Sequence, residues 1–298
     1  MARYRPHDSS DVRPAETLTN LYCLEDEMRT FRVHGPILTV FLTLVLSGCA
    51  AVAITGSTDV EKSAFGSKKR FAVVSISSLK TFSGEKGMTQ MFKSTDEIPG
   101  ANTQPLINTL SPKIVNSLRR TGHFSLMPES AVLSARAYRT IKEDERVMKV
   151  LFMSDEVNVA NGYKYISEPQ KFAQLAKDLG VDGVIGVTMS FSISSSKGGV
   201  GIMGLSLGRK SYSTMVSASA IAYNRNGNVI WKDTTLKEAE PGDRKAIILI
   251  DTTDITKTNF EKFHPSAVEI GGKAVDVLLA RFDDTMAGKK VSSMQSVK

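Results

Sequence analysis

The chain has 298 residues, of which 41% are hydrophobic, 23% charged and 7% aromatic. This composition is typical of a globular protein and excludes wholesale disorder, a collagen-like repeat and a protein with many membrane spans. The 38 Lys and Arg residues outnumber the 31 Asp and Glu residues, but the basic residues are scattered in clusters of two or three. Because no aromatic residues are interleaved with these clusters, we predict that the protein does not bind nucleic acid.

The N-terminal segment is organised like a secretory leader. Residues 1–27 are polar and without periodicity, and we interpret them as a non-native extension upstream of the true start. Met28 and two nearby arginines then precede an apolar run at 37–46. This run is about ten residues long, whereas a membrane-spanning helix needs roughly 20. We therefore predict a signal peptide at 28–48.

Cys49 follows this segment in the tetrapeptide Leu46-Ser47-Gly48-Cys49, which resembles a bacterial lipobox. The resemblance implies cleavage between Gly48 and Cys49 and acylation of Cys49. Each buried acyl CH₂ contributes about 0.8 kcal/mol, so two or three chains hold a protein on a membrane. Ala50 in place of Asp after the cysteine favours the outer membrane, with the body in the periplasm. The alternative is a buried core helix in which Cys49 is a small apolar residue.

After the lipobox-like tetrapeptide, the sequence predicts three further regions. Residues 49–69 are small and polar, as in a flexible tether, and residues 288–298 form a disordered tail. Between them, 70–287 is predicted to be a single domain. The domain opens with a strand at 70–78, and a long loop is predicted at 81–103.

Helices and strands alternate through the rest of the domain. The predicted helices are 111–122, with an earlier start near Leu106 as an alternative, then 129–148, 167–179 capped by Ser167, and one from Ser266 that forms a capping box with Glu269. The predicted strands are 124–127, 184–194, 212–223 and 228–232. The acidic run 143–145 is interpreted as a solvated helix face. The fold class is therefore α/β, a two-layer or three-layer sandwich of helices on a mixed sheet.

The stretch from Phe172 to Asp233 resembles the corresponding segment of the CsgG family, the curli secretion channel lipoproteins. The similar features are a helix ending at Leu179-Gly180, a strand, the motif Lys197-Gly198-Gly199-Val200-Gly201, a second strand, and Asn-Gly-Asn-Val-Ile-Trp at 226–231. A wider group, which includes the N-terminal domain of TolB and the lipoprotein activators of penicillin-binding proteins, is similar only in the helix, strand and hairpin parts.

This resemblance implies a function and a functional segment. In the family, the equivalent Gly-rich segment forms a hairpin that closes a transmembrane barrel in a ring of subunits. The candidate hairpin or oligomer residues are Gly198, Gly199, Gly201, Gly204, Gly208 and Tyr212. A lone hairpin would expose unpaired edges in lipid, so insertion would require a closed oligomer. The alternative is a long surface loop on a periplasmic domain.

The sequence carries no familiar catalytic motif. The glycines of 199–204 spell G-x-G-x-x-G, but strand-like residues follow where a dinucleotide site needs a helix, and Tyr223 stands near the position of the required acid. Leu205 occupies the place of the phosphate-loop lysine. After processing, His123 and His264 are the only histidines, and they lack zinc-ligand spacing. We predict no enzyme activity, no cofactor and no metal.

Two non-catalytic hypotheses follow. The first is a ring-forming, lipid-anchored envelope protein that acts in polypeptide secretion or envelope assembly. The second is a monomeric periplasmic adaptor or activator lipoprotein that binds an envelope enzyme or assembly. An enzyme is a third, weaker alternative. The predicted partners are therefore the membrane, through acyl chains on Cys49, and either further copies of the chain or another envelope protein.

We expect Cys49→Ser to release the protein from the membrane, because serine cannot form the thioether that carries the diacylglycerol. Fractionation of cells labelled with a radioactive fatty acid measures both attachment and acylation. Cys23→Ser is the matched control and should leave both unchanged. Membrane attachment of the unlabelled Cys49→Ser variant would refute the predicted anchor.

Overall fold

The computed structural model describes residues 59–80, 83–85, 102–150, 153–196, 210–239, 247–250 and 260–291. All of them belong to a compact unit that runs from Ile54 to Lys298. The predicted leader, the predicted acylation site at Cys49 and the predicted tail from 292 onwards lie outside the described residues.

Strands and helices are numbered here in chain order. The strands are β1 (Asp59–Val60), β2 (Arg70–Leu79), β3 (Ser83–Glu85), β4 (Ser125–Leu126), β5 (Val147–Val150), β6 (Met153–Val159), β7 (Gly183–Ser196), β8 (Lys210–Asn224), β9 (Val229–Glu238) and β10 (Ile247–Ile250). The helices are α1 (Gln104–Arg120), α2 (Glu129–Ser134), α3 (Arg136–Thr140), α4 (Pro169–Asp178) and α5 (His264–Met286), with 3₁₀ turns at Lys62–Ala64 and Phe260–Phe263.

These strands form one mixed sheet in the order β1-β9-β8-β7-β2-β6-β5. The short strands β10, β3 and β4 pair with β8, β7 and β2 respectively. β2 runs parallel to β7, and β7, β8 and β9 form an antiparallel meander. The predicted fold class, helices on a mixed sheet, is therefore confirmed.

The sheet is covered by helices on both faces, which makes three layers. Consecutive residues of β2 point to opposite sides: Val73 packs in a core with α1 and α5, whereas Ala72 and Val74 pack with α2, α3 and α4. Residues 71–78 of β2 are all buried. A strand buried on both faces needs apolar or small residues in both phases, which explains the continuous run Phe-Ala-Val-Val at its start.

Helix α1 begins earlier than the Ser111-Pro112 pair suggested. It starts at Gln104, close to the alternative start near Leu106, and Pro112 lies inside it. The Oδ1 atom of Asn102 accepts a hydrogen bond from the backbone N–H of Gln104 at 2.9 Å. This N–H group at the start of the helix therefore has an acceptor. Burial of Leu106 and its apolar neighbours against the sheet outweighs the cost of an internal proline.

The helix predicted at 129–148 is wrong. The structure has two short helices, α2 and α3, and then the strand β5, which pairs with β6. Ala135 and Ile141 adopt extended conformations and end the two helices. Tyr138 is buried in α3 and donates a hydrogen bond to the carbonyl oxygen of Val74 at 2.8 Å. This contact with the central strand holds the chain in two short helices with a break between them. Helical periodicity alone did not indicate the break.

The interpretation of 143–145 as a solvated helix face is also wrong. Asp144 is buried, and its Oδ2 atom accepts the backbone N–H groups of Ser167 at 2.7 Å and Glu168 at 3.1 Å. Lys171 forms an ion pair with the same carboxylate. Asp144, rather than the predicted cap Ser167, therefore supplies the acceptor at the start of α4, where the helix dipole favours a negative charge.

Ser266 does not cap α5. The helix begins at His264, two residues before the predicted start, and no side-chain capping hydrogen bond forms at its N-cap. The Ser266 hydroxyl is buried and donates instead to Thr214 Oγ1 at 2.7 Å, which joins α5 to β8. The sequence motif of a capping box is therefore used here for a tertiary contact.

A cluster of aromatic rings closes one end of the core around Phe71. Phe65 stacks on Phe71 with ring centroids 5.1 Å apart, and Phe124 lies 4.8 Å from Phe71. Gly183 of β7 faces this cluster: an added Cβ would lie 2.5 Å from Phe71 Cε1 and 2.9 Å from the Tyr223 carbonyl oxygen. A side chain at 183 would therefore clash with both a fixed ring and the backbone.

We expect Gly183→Ala to lower the free energy of unfolding by about 1–3 kcal/mol, the usual cost of overpacking a core. Urea unfolding monitored by circular dichroism measures the change. Gly66→Ala is the control, because the nearest atom to a Cβ at 66 is 3.9 Å away. If the two variants unfold at the same urea concentration, the close approach of Gly183 to Phe71 is contradicted.

Candidate interaction surface

The sequence-predicted functional residues fall largely outside the structure's described part. Cys49 and Gly48 lie there, as do the five candidate glycines from Gly198 to Gly208. Tyr212 lies in β8, where its backbone is paired with Ser195 of β7. The lipidation and hairpin predictions therefore stay predictions, and the structure specifies the two strands between which the Gly-rich segment runs.

These two strands form a long, regular hairpin. β7 and β8 pair in constant register from Gly183 opposite Asn224 to Ser196 opposite Ser211. Residues 197–209 therefore connect the ends of two paired strands. The apolar phase predicted for β7 is confirmed, because Met189, Phe191 and Ile193 are all buried in the core with α1 and α5.

On the opposite face of β7 and β8, the side chains are mostly polar. Three rows run across β7, β8 and β9: Thr188, Ser219 and Thr234; Ser190, Ser217 and Leu236; Ser192, Met215 and Glu238. The Ser and Thr residues in these rows are half-buried, and Leu236 is 51% exposed. We call the surface formed by Thr188, Ser190, Ser192, Ser217, Ser219, Thr234 and Leu236 the hydroxyl face.

Helix α4 does not extend over the hydroxyl face because it is short. Its ten residues span about 15 Å at 1.5 Å per residue. The fourteen residues of β7 span about 46 Å at 3.3 Å per residue. Phe172 of α4 packs over Gly186 and stacks on Tyr223, with ring centroids 4.7 Å apart. The helix thus covers the Gly183 end of the strands, and the hydroxyl face lies beyond it.

Hydrogen bonds between hydroxyl groups order this face. Ser77 of β2 and Thr188 have their hydroxyl oxygens 3.0 Å apart, and those of Ser219 and Thr234 are 2.9 Å apart. These pairs satisfy polar groups that are only partly hydrated. The side chains are short, so the face is flat, and Leu236 adds an apolar contact point beside Ser217.

A buried ion pair holds β9 beneath the hydroxyl face. On the opposite side of β9, Arg281 of α5 donates two hydrogen bonds to Asp233, from Nε to Oδ2 at 2.9 Å and from Nη2 to Oδ1 at 3.1 Å. The Asp233 side chain is fully buried. Thr235 adds a hydrogen bond to the Ala274 carbonyl oxygen at 3.1 Å. These contacts join the strand that carries Thr234 and Leu236 to the longest helix.

A shallow cavity of about 420 Å³ lies between α4 and the turn that joins β8 to β9. The residues that line it include Pro169, Gln170, Gln174, Lys177 and Asn226. The turn is the predicted Asn-Gly turn: Gly227 has a φ of +83°, a conformation that glycine adopts without strain. The cavity is open, and amide side chains line it together with Lys177 and Asp178 of α4.

The two histidines of the predicted mature chain lie apart from the hydroxyl face. His123 Nε2 is 3.1 Å from Asp283 Oδ1, which joins the end of α1 to α5. His264 is the first residue of α5, and burial lowers its pKa. Across the described ranges, no three His, Cys, Asp or Glu side chains are grouped so that they could hold a metal ion. Nor does any helix in those ranges have the length and apolarity needed to cross a bilayer.

Comparison with known proteins leaves the family open. The sequence matches no protein-family model, and it matches no curated protein. Solved structures that are similar include the LpoB C-terminal domain from Salmonella enterica, at 12% identity over 57% of this chain and 83% of that chain, with a TM-score of 0.24. Another is a PelC dodecamer from Paraburkholderia phytofirmans, at 12% identity over 72% of this chain and 91% of that chain, with a TM-score of 0.23. At this level, the similarities identify neither a family nor a function.

Removing one partner of the buried ion pair should lower the free energy of unfolding more than removing both partners. We expect Arg281→Met to lower the free energy of unfolding by about 3–5 kcal/mol, because it removes the positive charge that the guanidinium places beside the buried Asp233 carboxylate. The double variant Asp233→Leu, Arg281→Met should recover to within about 2 kcal/mol of the unmodified protein. Urea unfolding of both singles and the double completes the cycle. Additive losses would contradict the proposed coupling.

Proposed function

We propose that this chain is a lipid-anchored protein of the bacterial cell envelope that acts through protein contacts, without catalysis, in polypeptide secretion or envelope assembly. The observation that carries the proposal is the lipobox-like Leu46-Ser47-Gly48-Cys49 after a short apolar segment, followed by a folded body. Acyl chains on Cys49 would place that body at the periplasmic side of the outer membrane.

The hairpin supports a ring-forming version of this function. The resemblance to the CsgG family requires two paired strands on either side of the Gly-rich segment, and β7 and β8 are paired up to Ser196 and Ser211. The strands would therefore deliver residues 197–209 to one end of each subunit. In a ring, this end would contribute repeated hairpins to a shared wall, since a barrel in lipid must be closed.

The hydroxyl face supports the second candidate, a monomeric adaptor or activator. It is a flat, half-hydrated surface with an exposed leucine at its edge, and such a surface suits contact with another folded protein. This version needs the anchor and the face but no oligomer. The two versions share the anchor and differ in whether the partner is a second copy of the chain or another envelope protein.

Non-catalytic action is part of the proposal. The shallow cavity beside α4 carries Lys177 and Asp178 on one helix, and none of the described residues in it forms a nucleophile and base pair. The buried carboxylates Asp144 and Asp233 each serve a structural purpose, at the start of α4 and between β9 and α5. A binding function therefore accounts for the charged groups better than a reaction does.

Light scattering of the acylated protein extracted in mild detergent tests the ring. We expect particles many times the mass of one chain, and liposomes that contain them should conduct ions. Monomeric particles in sealed liposomes would contradict the ring-forming version and leave the adaptor version. The Cys49→Ser protein, added to the outside of liposomes, is the control for non-specific leakage.

A charge placed on the hydroxyl face tests its use as a contact surface. We expect Ser217→Lys to weaken the extracted ring, or the complex with a co-extracted partner, by about tenfold or more in affinity, because the contact would remove the longer, charged lysine side chain from water. Ser134→Lys, on the exposed end of α2, is the matched control. If both variants assemble like the unmodified protein, the hydroxyl face is not the contact surface.

A further inference from the structure

The fold brings together basic residues that are scattered along the sequence. They come from the 3₁₀ turn after β1, the turn that leads into β2, the last turn of α1 and the residues after α5. All of them lie at the end of the sheet where β2 begins, beside the aromatic cluster around Phe71. We call this group the basic end, and its exposed members are Lys62, Lys68, Arg70, Arg119, Arg120 and Lys290.

Backbone hydrogen bonds hold the turn before β2 against the segment that follows α1. The Gly66 N–H donates to the carbonyl oxygen of His123 at 2.8 Å. The Ser125 N–H donates to the carbonyl oxygen of Lys69, also at 2.8 Å. The basic residues of the turn therefore lie beside the end of α1 and its two arginines.

The end of α5 joins the same group. His123 Nε2 lies 3.1 Å from Asp283 Oδ1, so the segment after α1 contacts the last turns of α5. The Nζ atom of Lys62 lies 3.7 Å from the position that a Cβ at Gly288 would take. Lys290 follows shortly after that glycine. Four segments that are distant in sequence thus present their cations at one end of the domain.

The members of the basic end lack the acidic partners that neighbouring lysines have. Lys289 pairs with Asp284 at 2.7 Å, and Lys69 lies 3.8 Å from Asp182. Within the described ranges, no member of the basic end forms such an ion pair. The basic end therefore carries a positive charge that these ranges do not neutralise.

Helix dipoles explain only part of this charge. Arg119 and Arg120 lie in the last turn of α1, where a positive charge is favoured. Their guanidinium groups donate to the neutral side-chain oxygens of Asn116 and Ser117. Lys68 lies in a turn outside the helices. Because crowded like charges lower the stability of a fold, a group of them without a structural partner points to a use in binding.

We propose that the basic end is a contact surface for an acidic polypeptide segment of a partner protein. Carboxylates suit the two arginines, because a guanidinium group can donate two parallel hydrogen bonds to one carboxylate. The lysines add attraction at longer range, which raises the rate of association. This inference goes beyond the proposed function, since it needs neither the acyl anchor nor the hydroxyl face.

Two other anionic partners fit this surface less well. Asp59 and Glu61 are exposed among the cations, and a uniformly anionic lipid surface would repel them. A polypeptide can instead place its carboxylates beside the cations alone. Single-stranded nucleic acid stacks its bases on exposed rings, whereas the rings at this end, those of Phe65, Phe71 and Phe124, are buried. An acidic polypeptide therefore matches both the mixed charges and the buried rings.

Fluorescence anisotropy of a labelled Glu-rich peptide tests the contact. Every protein is the full chain with Cys49→Ser, so the result is independent of acylation. The test variant carries Lys68→Glu and Lys290→Glu, at two exposed positions outside the helices. The control variant carries Lys142→Glu and Lys262→Glu, which change the net charge equally at exposed positions away from the basic end. The first of these follows α3, and the second precedes α5.

We expect the chain with an intact basic end to bind the peptide, and the test variant to bind it at least about tenfold more weakly, because two attractive charges become repulsive. The control variant should stay within about threefold of the intact chain. Binding should also weaken as the ionic strength rises from about 0.1 M to about 1 M, since the Debye length falls from about 10 Å to about 3 Å. Urea unfolding verifies that both variants remain folded.

Equal losses of affinity in the test and control variants would show an effect of net charge alone and would overturn the proposal, as would failure of the peptide to bind. Tighter binding to phosphatidylglycerol vesicles or to single-stranded DNA than to the peptide would overturn it too, and would identify a lipid surface or a nucleic acid as the partner. Lys68→Gln with Lys290→Gln introduces no repulsion and should give an intermediate affinity. This neutral variant provides the same comparison if the charge-reversed variant unfolds.

Discussion

The unequal length of the helices on the two faces of the sheet determines how the domain is organised. Helix α5 has 23 residues and covers β8 and β9 over most of their length, whereas α4 has only ten. The α5 face is therefore a continuous core, and it is secured by the buried Asp233–Arg281 pair. On the opposite face, α2, α3 and α4 pack over β2, and α4 covers the β7–β8 hairpin at the end where Phe172 packs over Gly186. Beyond that point the sheet presents hydroxyl groups, which tolerate partial hydration, and this is the surface that a partner would contact.

With this organisation, both candidate functions depend on the same part of the fold. The hydroxyl face and the ends of β7 and β8 lie at the same end of the sheet, away from α4. The aromatic cluster around Phe71 lies at the far end of the sheet, where Phe71 pairs with Gly183. The partner contacts of both candidate functions would then be made at one end of the domain, and the aromatic cluster would stabilise the other end.

The fold class followed from the sequence because its strongest signals are local. The alternation of Met189, Phe191 and Ile193 with serines identified β7, and the Asn-Gly turn located the β8–β9 hairpin. The errors came from side chains that act over long sequence distances. Asp144 belongs to the start of α4, more than twenty residues away, and Ser266 bonds to Thr214 across the core. Charge and capping patterns cannot distinguish these tertiary uses from local ones. The hydroxyl face was visible as a polar phase in β7 and β8, but its exposure depends on the length of α4, which only the packed structure reveals.

The central claim is that the leader is removed and that fatty acids on Cys49 hold a non-catalytic binding domain on the cell envelope. Intact-mass spectrometry of the protein extracted from its own membranes measures this most directly. We predict a chain that begins at Cys49 and carries a diacylglyceryl group and an N-terminal acyl chain. A full-length chain without added lipid, recovered from the cytosol, would contradict it.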